Sequence, residues 1–407
     1  MALVGIPRLY DRCPVPLGIR SARPVDLTAS ATWHQHLDSP VSASPASVLQ
    51  VTQATVGLHS TLPGTPYLSL NARIRGLTID DLDKEVYDRR SLIRLKVMRG
   101  TVFLLTHELA QIAFAATSGA TLGRDRGWSL IDQPAYRRLA PLVLDALGER
   151  SLTVAELRGQ IGADPDLSAV VSLLCDEARI VRDRPTGGRT STSYRYRLWD
   201  ETFPDLDLCA YDRDTATDEL VRRYVTNYGP VSIRDVVWWT GLPAKRIRPA
   251  LGRLADELGT TDRPPHGDER LWIGETDDGH ASPQRRTPWL RLLPQLDPYT
   301  MGYRDRARLI DAEHEALVYD RGGNATSVVL QDGRVTGVWD LTDSPTPTGR
   351  LMLFDPASAV RRRALDLVAE TGEFWFGRSV PVRQYTRMVP LRQRTGVMRK
   401  PLDGATP

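Results

Sequence analysis

Three times along this chain, helical periodicity gives way to two short apolar strands around a turn, and this repeated grammar restricts the fold more than any other feature. In the first instance Thr78 is placed to cap a helix running through Leu82 and Val86, after which LIRLKVM and TVFLLT are apolar runs separated by Arg99-Gly100. In the second, Leu139, Leu142, Val143 and Leu147 form one helical stripe, Thr153 opens a short helix, and Leu167, Val170, Val171, Leu174 and Ala178 share a buried face. RIVRDR and TSYRYRLW then pair across the turn from Pro185 to Arg189. The third has a helix from Leu220 to Tyr228, a stop at Gly229-Pro230, and SIRDVVWWTGLPAKRIRPALGRL as helix, turn at Gly241, helix. Helices followed by a two-stranded wing are the winged-helix pattern. The copies share grammar and not residues, so the expectation is tandem modules stacked on one another.

From Trp289 onward the pattern changes to strands: LRLLP, SVVLQD, RVTGVWDL and LMLF, with Asp332-Gly333 a strong hairpin dipeptide. The fold class predicted is therefore α+β, mainly α, with tandem winged-helix modules followed by a C-terminal β-barrel-like domain. The expected divisions are an extended, proline-broken arm over 1–26, a first module over 27–130, a second over 131–205, a third over 206–286 and the C-terminal domain over 287–407. Within the first module, Ser44-Pro45 is expected to open a helix that ends near His59. A length of 407 residues is too great for one small core.

With 53 basic against 50 acidic residues, net charge alone implies no polyanionic partner. Its distribution does. From Phe374 to Lys400 there are seven basic residues and no acidic one, with Trp375, Phe376 and Tyr385 interleaved. Arg383, Arg387, Arg392, Arg394, Arg399 and Lys400 can each neutralise a phosphate; the competing reading is a solvated tail. Lys245, Arg246, Arg248 and Arg253 lie where a recognition helix would read a groove, or where a stacked helix would pack inward. The three cysteines are far apart and without a CxxC pair, which excludes a disulfide framework and a zinc site of that kind. No apolar run is long enough for a membrane span and the N-terminus has no export pattern, so a cytoplasmic protein without a membrane partner is expected.

One segment can carry chemistry. In GLHSTLPGTPY, His59, Ser60 and Thr61 precede two prolines that force an extended exit. A neutral imidazole at this place can orient or deprotonate a water, and Thr61 can hold the same water. Equally, His59 can cap the carbonyl end of its helix, with Ser60 and Thr61 as turn residues. His34 and His36 are two apart, wrong for one helix face, and are taken as surface residues.

The blocks GLHSTLPGTPYLSLNARIRGL, RSLIRLKVMRGTVFLLT, RYVTNYGPVSIRDVVWWTGL, LLPQLDPYTMGYRDR and LQDGRVTGVW, in that order, resemble the AlkZ-like winged-helix DNA glycosylases, which unhook bulky or crosslinked purine adducts. The resemblance implies a monofunctional glycosylase, monomeric and free of metal and cofactor, acting in base excision repair on double-stranded DNA that carries an N7-alkylated guanine. It also implies antibiotic self-resistance as a setting. The family's catalytic motif is glutamine, an aliphatic or small residue, then glutamine or aspartate, and it falls on His59-Ser60-Thr61. This departure leaves two readings: a glycosylase with His59 and Thr61 as water-holding catalytic residues, or a winged-helix DNA binder, regulator or adduct-shielding sensor without catalysis. Ser60 would pack or face the DNA. By the same resemblance Arg99 is a DNA-backbone or wing-turn residue, and Asp297, Tyr299, Tyr303 and Arg304 are cleft-lining. Asp297 is also the alternative water holder. The hairpin projected at DNA is either the turn carrying Arg334 or the connection from Asp343 to Arg350.

The cationic strip generates a direct expectation. Duplex binding should depend steeply on salt and little on sequence, with a log–log slope of about −0.9 per phosphate neutralised. A salt titration of duplex affinity that came out flat would remove the strip from any DNA-binding role.

Overall fold

All three repeated units close through the same pairing, in which a short segment before the second helix lies beside the last strand of the wing, as a strand in the first two and as a single bridge in the third. The computed structural model describes residues 28–122, 133–262, 270–274, 288–343, 345–355, 357, 359–391 and 402. The expected arm over 1–26 lies outside them, as do Arg392, Arg394, Arg399 and Lys400 of the cationic strip.

The first module consists of α1 (Ser47–Ala54), β1 (Leu58–His59), α2 (Thr65–Asn71), α3 (Ile79–Asp83), β2 (Leu92–Lys96) and β3 (Val102–Thr106), with β3 central in the sheet. Its continuation, α4 (His107–Leu122), runs straight out of β3. Thr78 and Asp81 form the expected capping box on α3. Helix α1 starts two residues later than Ser44-Pro45 suggests, because the Ser47 hydroxyl donates to the Ser44 carbonyl and holds the Ser44–Ser47 turn outside the helix. It also ends earlier than expected. Val56 (φ 51°) and Gly57 (φ 98°) take left-handed conformations that turn the chain out of the helix and into β1. His59 therefore sits on a strand and not on a helix end, which removes the helix-capping reading.

The second module comprises α5 (Gln133–Leu147), β4 (Leu152–Thr153), α6 (Val154–Ile161), α7 (Leu167–Asp176), β5 (Ile180–Pro185) and β6 (Tyr194–Leu198), and buries a core of its own around Leu139, Val143, Leu157, Val170 and Leu174. The third comprises α8 (Arg213–Tyr228), α9 (Ile233–Thr240), α10 (Ala244–Arg253), β7 (Leu258–Asp262) and β8 (Arg270–Gly274), with Val231 bridging to Trp272 where the other modules have a short strand. Modules one and three share a core. Helix α4 packs on α8, and Phe103, Leu105, Ala113, Leu220, Tyr224 and Tyr228 belong to one buried cluster that continues into the C-terminal unit.

That unit has five strands hydrogen-bonded in the order β9 (Leu290–Leu293), β10 (Val328–Gln331), β11 (Arg334–Thr342), β12 (Thr348–Leu353), β13 (Val382–Gln384). The first four are antiparallel and β13 joins β12 in parallel, which the crossing helix α11 (Arg361–Phe376) makes possible. Asp332 (φ 48°) and Gly333 (φ 85°) form the two-residue β10–β11 turn expected of that dipeptide.

The first module and the C-terminal unit are joined by an ion pair with no exposure on either side. The Arg73 guanidinium donates to both carboxylate oxygens of Asp297, at 2.8 and 2.7 Å. Ser69 Oγ adds a third donor at 2.7 Å and the Tyr299 amide a fourth at 3.0 Å. Breaking one side of such a pair strands a charge out of reach of water. Asp297→Ala should lower unfolding free energy by about 3–5 kcal/mol in urea melts, whereas replacing both partners together by apolar residues should cost less than the sum of the single changes.

Candidate active site

In the second and third modules, the residue ending the short segment before the second helix is a hydroxyl that caps that helix: Thr153 in a box with Glu156, and Ser232 in a box with Asp235. His59 holds the equivalent place in the first module. There the next helix does not start until Thr65, so nothing is capped and His59 to Gly64 leave β1 as irregular chain. The Ser60 amide donates to the Val102 carbonyl at 2.8 Å, extending the β1–β3 pairing by one residue. Strand alternation sends His59 and Ser60 to opposite sides, and Thr61 lies beyond the strand in the bend that follows.

His59 faces the shared core, with its ring 4.5 Å from that of Phe103 and only 2% of its surface exposed. Thr61 is exposed. Burial, and then the neighbouring Arg99 cation, push the His59 pKa down to about 3, so the imidazole is neutral at physiological pH. The Arg99 Nη2 lies 3.3 Å from His59 Nε2. A guanidinium only donates, so Nε2 accepts and the ring proton resides on Nδ1. Nδ1 is buried and has no acceptor among the described residues.

Arg99 is held by unusual means. It forms the tip between β2 and β3 in a left-handed conformation (φ 55°, ψ 13°), and its Cζ lies 4.9 Å from the Trp238 ring centroid. Gly241 makes room: a Cβ there would fall 2.9 Å from Arg99 N and Cα. Burial lowers the Arg99 pKa to about 10, which leaves it charged. On the same indole, Arg304 Cζ lies 5.6 Å from the centroid. Asp235 sets this arrangement, since the carboxylate that completes the α9 capping box also accepts from the Arg304 and Asp305 amides, at 2.8 and 3.1 Å. It ties the helix carrying Trp238 to the loop carrying Arg304.

On the other side of the strand, Ser60 Oγ accepts from Arg94 Nε at 3.2 Å. The Arg94 guanidinium is enclosed by the rings of Tyr87 (5.3 Å) and Tyr194 (5.8 Å), so it props the strand from beneath. The exit is bounded by Trp375 of α11 over Gly64, and Arg189 from the second wing donates to the Trp375 carbonyl at 2.9 Å.

The structure links His59, Arg99 and Arg304 through Trp238, leaves Ser60 on Arg94 and Thr61 exposed two residues after His59, and separates the other sequence candidates from them. Asp297 is sealed in its ion pair with Arg73 and lines no cleft, so it is not the alternative water holder. Tyr299 and Tyr303 are buried too, their hydroxyls spent on the Gly333 and Tyr228 carbonyls. Arg334 is anchored to Asp311 and to the carbonyls of Ala307 and Arg308, which pins the 332–334 turn to the body. Arg383 and Arg387 are exposed. On α10, Arg246 bonds the Ala116 carbonyl and Arg253 pairs with Asp218, whereas Lys245 and Arg248 are exposed. Sequence reasoning passed over Trp238, Asp235 and Arg94, and read Gly241 only as a turn. The S-x-x-D spacing of Ser232 and Asp235 was the one visible signal among them.

A family model described as DNA glycosylase AlkZ-like matches residues 52–373. An interstrand DNA cross-link repair glycosylase of Streptomyces sahachiroi is 30% identical over 169 residues, which cover 39% of this chain and 44% of that protein. The match thus spans less than half of that relative's length. The solved structure of Streptomyces sahachiroi DNA glycosylase AlkZ has the same fold, with a TM-score of 0.71 at 21% identity over 88% of this chain and 98% of its own.

The depressed pKa of His59 has a consequence for stability. Between the unfolded value near 6.5 and the folded value of about 3, the unfolded chain binds the extra proton. This contribution is complete above pH 6.5 and is lost as pH falls, at up to about 1.4 kcal/mol per pH unit. Subtracting the urea stability of His59→Gln from that of the unchanged protein should leave this slope between neutral and acid pH. A difference independent of pH would mean that His59 is open to water.

Proposed function

Because the chain belongs to the AlkZ-like DNA glycosylase family, we propose that it hydrolyses the N-glycosidic bond of bulky N7-alkylguanines in double-stranded DNA, with a water held between His59 and Thr61. It acts as a monofunctional glycosylase and a monomer. The observation that carries this reading is the neutral His59, whose Nδ1–H has no acceptor among the described residues and which stands two residues before the exposed Thr61.

The chemistry matches the demand of such a substrate. An N7-alkylguanine is already cationic and departs as a neutral base, so no acid is needed and the barrier lies in placing water against C1′ as positive charge grows on the sugar. The water oxygen accepts from His59 Nδ1–H, the water donates a hydrogen bond to Thr61 Oγ1 without transferring the proton, and its remaining lone pair faces C1′. The new C1′–O bond forms as the bond to the base breaks, and the surplus proton passes to solvent. With Nε2 occupied by Arg99 and a pKa of about 3, His59 orients the water and does not deprotonate it. Arg99 fixes the tautomer. Ser60, braced by Arg94, holds the strand.

The relative named for interstrand cross-link repair makes crosslinked purines a natural extension of the substrate class. The exposed Arg383 and Arg387 supply backbone contacts that carry no sequence information.

Single-turnover excision from an N7-guanine-adducted duplex, read as alkali-labile strand breaks, tests the reading. His59→Ala should slow excision by about 10²-fold while binding barely changes. Thr61→Ala should cost less, and His59→Gln should recover part of the rate, because its amide can accept from Arg99 and donate to the water. The unchanged enzyme should show a rate flat from weakly acid to weakly alkaline pH. Excision by His59→Ala at the full rate on every adduct would overturn the assignment.

A further inference from the structure

Around His59 the site holds several unused donors. Among the described residues His59 Nδ1, Arg99 Nε and Trp238 Nε1 are all buried without a hydrogen-bond partner, and the Arg304 side chain, on the same indole as Arg99, is exposed. Among the described residues no carboxylate pairs with Arg99 or Arg304. The acids nearby are spent: Asp235 on backbone amides and within 3.9 Å of Arg308, Glu315 on Arg306. In Arg304-Asp305-Arg306-Ala307-Arg308 the alternate arginines diverge. Arg306 lies over Tyr319 at 4.0 Å and Arg308 over Tyr303 at 4.3 Å, both buried, while Arg304 is left outward on Trp238.

We propose that Arg99, Trp238 and Arg304 form a clamp for one DNA backbone phosphate next to the target nucleotide. This rests on the reading of the chain as a DNA-acting glycosylase. Two guanidiniums held against one indole, with the indole N–H also unsatisfied, call for a ligand that is anionic and accepts several hydrogen bonds at once, which a phosphodiester does and a neutral base edge does not. Its place relative to the chemistry follows from Arg99, which touches His59 with Nη2 and offers Nε to the clamp. A sugar against Thr61 then has one of its own flanking phosphates at the clamp. The cradle is rigid on all sides. A Cβ at Gly323 would lie 2.8 Å from the Trp238 ring and one at Gly241 2.9 Å from Arg99, so both loops press on the clamp from behind.

The test uses a duplex carrying a tetrahydrofuran abasic analogue, unmodified or with a single methylphosphonate at the phosphate 5′ or 3′ to it, and reads affinity across a salt series. Arg304→Gln should weaken binding by about tenfold and reduce the salt slope by about 0.9, one phosphate contact. Trp238→Phe, which keeps a ring and deletes the N–H, should weaken it less. One of the two methylphosphonates should cost the unchanged protein as much as Arg304→Gln does, and should cost that variant nothing more. An unaltered salt slope in Arg304→Gln, or losses that add at both methylphosphonate positions, would overturn the clamp, as would failure to bind the duplex. Excision from an N7-alkylguanine duplex, run beside it, separates the two ideas. No excision with the clamp's coupling intact sinks the enzymatic reading alone, and excision without the coupling sinks the clamp alone.

Discussion

The Arg73–Asp297 pair is the joint on which the geometry of this molecule depends. Its two charges come from residues 224 apart in sequence, and both are fully removed from water. Neither survives in that place without the other, so the turn after α2 and the loop after β9 have one relative position that satisfies them. The pair supplies specificity more than net stability, since desolvation offsets much of the attraction. Ser69 and the Tyr299 amide complete the carboxylate's hydrogen bonds, and this makes the burial tolerable. From that joint α2 leads back to Gly64 and the His59–Thr61 segment, and the 297–304 loop leads forward to Arg304. The two walls of the candidate site are thus fixed at their bases by one ion pair.

Much of the fold was legible because it rests on local rules. The capping hydroxyls at Thr78, Thr153 and Ser232 and the Asp332-Gly333 turn each act within a few residues, and those elements formed where the signals stood, whereas the apolar stripes held except at Leu142, which is exposed, and at Ala178, which lies past its helix with φ 55°. The failure at His59 is instructive. The helix before it was expected to run on to the prolines, but two left-handed residues, Val56 and Gly57, end it early, and a β-branched residue in that conformation is not something a pattern announces. What compensates Val56 is tertiary, because its side chain is fully buried in the shared core.

The site was legible only in part, for a different reason. Residue type and spacing put His59 and Thr61 forward, but whether a histidine acts as a base, a donor or a ligand depends on what meets its two nitrogens. Here Arg99 decides, from a hairpin 40 residues on, and burial decides with it. Asp297, Tyr299 and Tyr303 show the converse. A block that attracts notice for its polar and aromatic residues turned out to be mostly internal bracing, with Arg304 the member that reaches the site. On α10 charge alone left groove reading and inward packing both open, and the fold decides for packing at Arg246 and Arg253, which hold helices together. A cation's availability is set by its acceptors, and acceptors are a property of the fold.

The first winged-helix module departs from the other two at one place. In the second and third modules the residue after the short edge strand is committed to starting a helix, and its hydroxyl is consumed by a backbone amide. In the first module the delay of the next helix to Thr65 frees that position and leaves the chain extended for one more pair with β3. The module loses a capping box, worth about 1 kcal/mol, and the strand end is held instead by Arg94 beneath Ser60 and by the Val102 carbonyl. What it gains is a strand end that sets the His59 ring against Phe103 and within reach of Arg99, which itself rests on Trp238. Pro66, in the first turn of α2, keeps that helix from extending back over the segment.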